Sequence, residues 1–156
     1  MTVIASVGAL TALFAGTIAL AQSDICITCT PAKAPFLERG MIRPGTFIAA
    51  VGADSPDKQE LFADLVAASR IITDLSEQAV KVGETHHAIR AGLITGNDIH
   101  ATLGQVIAGK KPGRNSADDI VLFDSTGTAL QDVAAAAAVY ERACAQGQGI
   151  NWSPRD

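Results

Sequence analysis

The stretch that decides the fold is Thr46-Phe47-Ile48-Ala49-Ala50-Val51-Gly52-Ala53-Asp54-Ser55-Pro56. Its first half, Thr46–Val51, is apolar, carries no charge and contains β-branched and aromatic residues. Such a run reads as a strand buried on both faces, the usual state of a strand inside a parallel sheet. Its second half changes abruptly to Gly, Asp, Ser and Pro, which end strands and make turns. Pro44-Gly45 marks a turn on the near side, so the strand is bounded at both ends.

Working outward, short β-branched runs alternate with helical runs, which argues for a parallel sheet covered by helices. Strands are predicted at Ile25–Thr28, Ile71–Thr73 and Ile120–Phe123. Helices are predicted over Val7–Ala21, Lys58–Ala68, Leu75–Val82 and Thr128–Ala145, the last carrying five consecutive alanines of high helix propensity. Gly83–Asn97 reads as helical but broken by Gly92 and Gly96. Asp98–Ala108 reads as a further helix with Asn97 as its N-cap. Loops are expected at Pro31–Pro35 and Gly109–Asp118, and Gly147 and Gly149 end the last helix. The organisation expected is an apolar segment over 1–21, an α/β domain over 22–146 and an irregular tail over 147–156.

Composition narrows the function. The chain has 156 residues, 48% hydrophobic and 18% charged, which suits one domain with a buried core. Aromatics make up only 4%, so that core rests on Ala, Val, Ile and Leu. A net charge of −4 repels phosphate backbones and argues against a nucleic-acid partner. Lys110, Lys111 and Arg114 surround Pro112-Gly113 and read as a solvated loop. The residues Met1–Ala21 resemble a leader ending in Ala-Leu-Ala-Gln but lack Lys or Arg, so they read as a buried helix of a cytoplasmic protein, with export as the alternative. No membrane partner is expected.

Cys26 and Cys29 have a Cys-x-x-Cys spacing, but no second pair follows. Asp24–Thr30 reads as a buried strand in which both serve as small apolar residues. His86 and His87 are adjacent and point about 100° apart on a helix, so no metal is expected.

In an open parallel sheet, ligands bind beyond the carboxyl ends of the strands. Three such ends carry small or hydroxylated residues: Thr28-Cys29-Thr30-Pro31, Val51-Gly52-Ala53-Asp54-Ser55-Pro56 and Phe123-Asp124-Ser125-Thr126-Gly127. Gly52 permits close approach. Asp54 is placed either to act as a general acid/base or to cap the following helix. Ser125 or Thr126 can cap the last helix, whose N–H groups also suit an anion or ribose. Gly-x-Gly-x-x-Gly, the usual opening of a dinucleotide-binding fold, does not occur.

Several motifs occur together and in order: Ser23-Asp24-Ile25 through Thr30-Pro31, Arg43-Pro44-Gly45-Thr46, Val51 through Glu60, Leu103-Gly104, Gly109 through Arg114, Phe123 through Gly127, and Ala129-Leu130-Gln131-Asp132. In this combination the chain resembles the ornithine cyclodeaminase/mu-crystallin family from Gln22 to Ala145. The resemblance implies a partial Rossmann-type parallel sheet flanked by helices, lacking the first βαβ glycine-rich loop, with NAD or NADP as cofactor. It implies amino-acid oxidation through an imine, with ornithine converted to proline plus ammonia, or alanine dehydrogenase or ketimine reductase chemistry, or a non-catalytic binding protein. Mu-crystallins also bind thyroid hormone. By the same resemblance Asp54 matches the catalytic acid/base. Thr28 and Thr30 would lie near the cofactor's ribose and adenine side, with Val51 and Gly52 beside it and Asp124, Ser125 and Thr126 near the nicotinamide. Partners implied are a small amino- or imino-acid substrate and, in a complete protein, a second copy. The substrate and dimerisation portion of such enzymes is expected to precede the residues matched here, so the chain alone is expected to be inactive.

Overall fold

The computed structural model of the chain describes the backbone of Val3–Ala5, then residues 20–150 and residue 152. Two compact units are present, Met1–Thr126 and Gly127–Asp156.

The first unit is built on a six-stranded, wholly parallel sheet in the order β1-β2-β3-β6-β4-β5. The strands are β1 (Val3–Ala5), β2 (Ile25–Thr28), β3 (Phe47–Ala50), β4 (Arg70–Thr73), β5 (Ala101–Thr102) and β6 (Val121–Asp124). The expected parallel α/β sheet is therefore present, with four of its strands where the sequence places them to within a residue or two. Val3–Ala5, within the segment read from the sequence as an apolar helix, form the strand β1 instead, its register pairing Val3 with Ile25. The helix expected over Val7–Ala21 falls outside the described residues except for Leu20 and Ala21, which are helical.

β4 and β6 are buried along nearly their whole length, as central parallel strands should be. Their Ile71 and Leu122, with Ile48 of β3 and Cys26 of β2, form the core together with Leu37, Leu61, Leu65 and Val66. Besides the helical Leu20 and Ala21, the α-helices among the described residues of this unit are α1 (Ala63–Ala67), α2 (Ser76–Ala79), α3 (Glu84–Arg90) and α4 (Leu103–Ile107). α1 packs on α3, presenting Leu65 and Val66, while α3 presents Ala88.

Three helices differ from the sequence expectation, each for a local reason. The helix predicted from Lys58 begins only at Ala63. Glu60 and Leu61 are instead held extended, with the Glu60 carbonyl accepting from Phe36 N and Leu37 N at 2.9 and 3.0 Å. The helix predicted over Asp98–Ala108 shrinks to α4, since Ala101 and Thr102 pair with β4 as β5. Asn97 consequently caps nothing and lies within a 3-10 turn, Gly96–Asp98. The cap of α4 is Thr102, whose hydroxyl accepts from Gln105 N while the Gln105 side chain accepts from Thr102 N at 3.0 Å. Finally, the expected helix over Leu75–Val82 is regular only as α2, its end closing in turns at Lys81 and Val82.

The second unit carries α5 (Ala129–Ala145), close to the range expected. Its N-cap is Thr128, without a side-chain capping bond, so neither Ser125 nor Thr126 caps it.

Candidate active site

The register of the sheet aligns one residue from each strand end in a row: Thr28 opposite Ala50, Ala50 opposite Asp124, Asp124 opposite Thr73. This row is the carboxyl edge of the sheet, the ligand edge of open α/β folds. It brings all three sequence-selected segments together. Val51 N donates to the Thr28 carbonyl at 2.8 Å, and Ser125 N to the Ala50 carbonyl at 2.9 Å.

Thr28 is buried, and its hydroxyl is the buried side-chain oxygen that, among the described residues, has no hydrogen-bond partner. A buried unpaired hydroxyl costs about 1–3 kcal/mol. Cys29, read as buried strand, is instead exposed beyond the end of β2, because the strand stops at Thr28. Cys26 does lie in the core, and burial pushes its thiol up to about 11. Thr30 closes a small turn, its hydroxyl accepting from Ala32 N at 3.2 Å.

Gly52 is needed for space. A Cβ there would sit 2.5 Å from the Thr30 carbonyl oxygen and 2.6 Å from Cδ of Glu60. The backbone of the β3 end thus lies against the backbone of the β2 end. Asp54 follows with its carboxylate exposed and paired to Lys58 Nζ at 2.6 Å. That hydrogen bond holds the Asp54 carboxyl below the ordinary carboxylate value. No helix starts behind Asp54, so the capping alternative falls away. The loop is tethered further along, where the His87 ring nitrogen Nε2 meets the Lys58 carbonyl at 2.8 Å. Burial lowers the His87 pKa below the ordinary imidazole value.

Asp124 is wholly buried. Its carboxylate accepts from Glu84 N at 3.1 Å, Thr85 N at 2.8 Å and the Thr85 hydroxyl at 2.6 Å, capping α3 from another strand. Gly83 makes this possible, with φ +88 and an absent Cβ that would lie 2.7 Å from the carboxylate. Burial pushes Asp124 up to about 6 despite those donors. Thr126 donates from its N and hydroxyl to Asp74, both at 2.9 Å, and the Ser125 hydroxyl lies 3.5 Å from the same carboxylate.

Three residues that sequence reasoning did not single out organise this edge. Asp74, directly after β4, holds the Ser125–Thr126 loop. Glu60 and Glu84 are both fully buried carboxylates. Glu60 accepts from Thr30 N at 2.7 Å and Gly52 N at 3.1 Å, and Glu84 from Glu60 N at 2.7 Å and Leu61 N at 3.0 Å. Burial, with Asp124 and Glu60 adding to it, pushes Glu84 up to about 8 against the pull of those amides. No spacing signal distinguishes these acids from solvated ones in the sequence.

An open cleft of about 540 Å³ lies at the other end of the strands, lined among others by Arg70, His100, Lys111 and Asp119. Arg70 and Asp119 are paired at 3.0 Å. It faces the amino ends of β4 and β6, where parallel sheets do not place their chemistry, so it carries less weight than the carboxyl edge.

A model of the ornithine cyclodeaminase/mu-crystallin family matches residues 10–147. The chain belongs to this family. Alanine dehydrogenase of Archaeoglobus fulgidus is 44% identical over 128 residues, which cover 82% of this chain and 40% of that protein. Among solved structures, an archaeal alanine dehydrogenase dimer with bound NAD matches with a TM-score of 0.81 at 42% identity, over 88% of this chain and 43% of that one. The Δ1-pyrroline-2-carboxylate reductase of Thermococcus litoralis, in complex with NADH and L-proline, matches with a TM-score of 0.80 at 34% identity, over 87% and 42%. The chain thus spans about two fifths of the length of these relatives. No helix among the described residues is long and apolar enough to cross a membrane.

Proposed function

We propose that this chain forms the cofactor side of an NAD(P)-dependent oxidoreductase acting at the Cα–N bond of a small amino or imino acid. The observation that carries this reading is the unpaired buried hydroxyl of Thr28 at the carboxyl edge of a parallel sheet. The likeness to an NAD-bound alanine dehydrogenase and an NADH-bound imine reductase supports it. The residues present fit the ribose and nicotinamide part of such a cofactor. Thr28 offers an unused donor and acceptor, Thr30, Val51 and Ser125 lie at the same strand ends, and Gly52 lets the Thr30 carbonyl and Glu60 pack against the end of β3. Asp124 and Thr126 serve this rim by fixing it, Asp124 through α3 and Thr126 through Asp74. When bound, the nicotinamide ring supplies or takes up the hydride.

Asp54 is the acid/base in this reading. Its pairing with Lys58 keeps it a carboxylate at neutral pH, fit to accept a proton from the substrate's ammonium group and to return one in the opposite direction. Cyclisation of ornithine to proline with loss of ammonia is a longer course of the same chemistry. The longer protein would act on such a substrate as a homodimer. The test joins this sequence to the remainder of the Archaeoglobus alanine dehydrogenase and assays alanine, ornithine, lysine and Δ1-pyrroline-2-carboxylate. Asp54→Asn should lower turnover by roughly 100-fold or more with unchanged melting. Near-normal turnover rejects the acid/base role, and no turnover of any of these substrates by the parent rejects the reaction class. The chain by itself should not turn over substrate. It should bind NADH only weakly, since no glycine-rich loop is present to hold the diphosphate; micromolar affinity by calorimetry would contradict this.

A further inference from the structure

Asp124, Glu84 and Glu60 form an unbroken ladder of buried carboxylates, each accepting backbone N–H groups from a different segment. From the end of β6, Asp124 fixes the first turn of α3. From that turn, Glu84 reaches the backbone of Glu60 and Leu61. From there, Glu60 reaches Thr30 and Gly52, just beyond the ends of β2 and β3. No lysine or arginine takes part in these contacts; backbone amides and the Thr85 hydroxyl supply the donors. Burying an acid this way is costly, and a merely well-packed core would use apolar side chains instead.

The geometry at the last rung is specific. Beyond the pairing of Val51 with Thr28, the two strand ends leave the sheet, and their backbones approach so closely that only Gly52 fits. Thr30 N and Gly52 N would both point at one another's territory with no strand partner to take them. One carboxylate accepts both, one oxygen for each. We propose that Glu60 is a positioning residue: by taking the Thr30 and Gly52 amides together, it sets the gap between the ends of β2 and β3 on which the cofactor rests. What rests on this edge depends on the function proposed above; the Glu60 contacts themselves do not. Glu84 and Asp124 hold Glu60 in that position.

Glu60→Gln tests this in the full chain with little change of shape. An amide side chain has one acceptor oxygen, and its NH2 group would face a backbone N–H. Two readings are taken by NMR on the parent and the variant: hydrogen exchange of individual amides, and the shifts of the Thr28–Thr30 and Gly52–Asp54 amides during titration with NADH to millimolar levels. The expected result is exchange at Thr30 or Gly52 faster by roughly tenfold or more, with Ile48, Ile72 and Leu122 unchanged. The NADH midpoint should rise several-fold at the same time. Unchanged exchange at both Thr30 and Gly52 overturns the proposal. Faster exchange with an unmoved NADH midpoint also overturns it, since the role would then be structural only. If Glu60→Gln fails to fold, Glu60→Asp keeps the charge on a shorter arm that reaches one amide and not both, and the same readings apply. A parent whose rim amides ignore NADH removes the dinucleotide reading, and the exchange result then upholds or overturns the Glu60 contacts by itself.

Discussion

Gly52→Ala is the most informative single change at this edge. The backbone there needs no left-handed angle, so the cost of a side chain is steric alone. A Cβ would stand 2.5 Å from the Thr30 oxygen, 2.6 Å from Glu60 Cδ and 2.7 Å from Glu60 Oε1. The first contact is backbone on backbone and cannot be relieved by rotating a side chain. Overpacking of this kind costs about 1–3 kcal/mol. Relief by moving Glu60 would strand the Thr30 and Gly52 amides, adding about 1–3 kcal/mol for each buried group left unpaired. Against this stands a gain of about 0.4–1 kcal/mol from the stiffer unfolded chain. With both amides stranded the net destabilisation is about 2–9 kcal/mol, and for a chain of this size each kcal/mol lowers the melting temperature by about 2–4 °C. Gly40→Ala is the control, since nothing lies within 4 Å of its absent Cβ and its backbone angle is ordinary. That variant should melt within about 2 °C of the parent. Thermal melts followed by circular dichroism compare the three. Equal melting of Gly52→Ala and Gly40→Ala would refute the close approach of the two strand ends.

Thr28→Val removes the unpaired buried hydroxyl and should raise the melting temperature by about 3–9 °C, while any NADH response of the rim amides weakens. A lower melting temperature would mean that the hydroxyl has a partner within the fold. Glu84→Gln tests the buried acid. Its folded pKa near 8 lies above the ordinary 4.5, so the folded state binds the proton more tightly, and the stability due to it is full below about 4.5 and lost as pH climbs to about 8. Glutamine does not titrate, so the parent's melting advantage over Glu84→Gln should shrink steadily from pH 5 to pH 8; a constant difference across that window would remove the raised pKa. Asp74→Ala should free the Ser125–Thr126 loop, seen as faster amide exchange at Thr126 with the core strands unchanged; retained protection there would show that the Asp74 contact does not hold the loop.

The sheet was legible because buried strands announce themselves by composition: Phe47–Ala50 is apolar throughout, and Ile25–Thr28 and Val121–Asp124 end in Thr28 and Asp124 after largely apolar runs. Helix limits were less legible. Propensity favours a helix from Lys58, but the backbone of Glu60 is already bonded to Phe36 and Leu37, a contact between segments more than twenty residues apart that no local pattern encodes. The same limit applies to the site. Strand-end position alone selects Thr28, Gly52, Asp54 and Asp124, because topology fixes which edge binds ligands. It cannot find Glu60 or Glu84, since an acid in a loop and an acid at a helix start are ordinarily solvated. They are buried here because backbone amides freed by irregular chain have nowhere else to pair, and a carboxylate is the side chain that accepts two at once. Irregular backbone at the ligand edge and buried acids beneath it are therefore one arrangement. The strand ends leave the sheet's own hydrogen bonding just beyond Thr28 and Val51, and the carboxylates replace the bonds given up there.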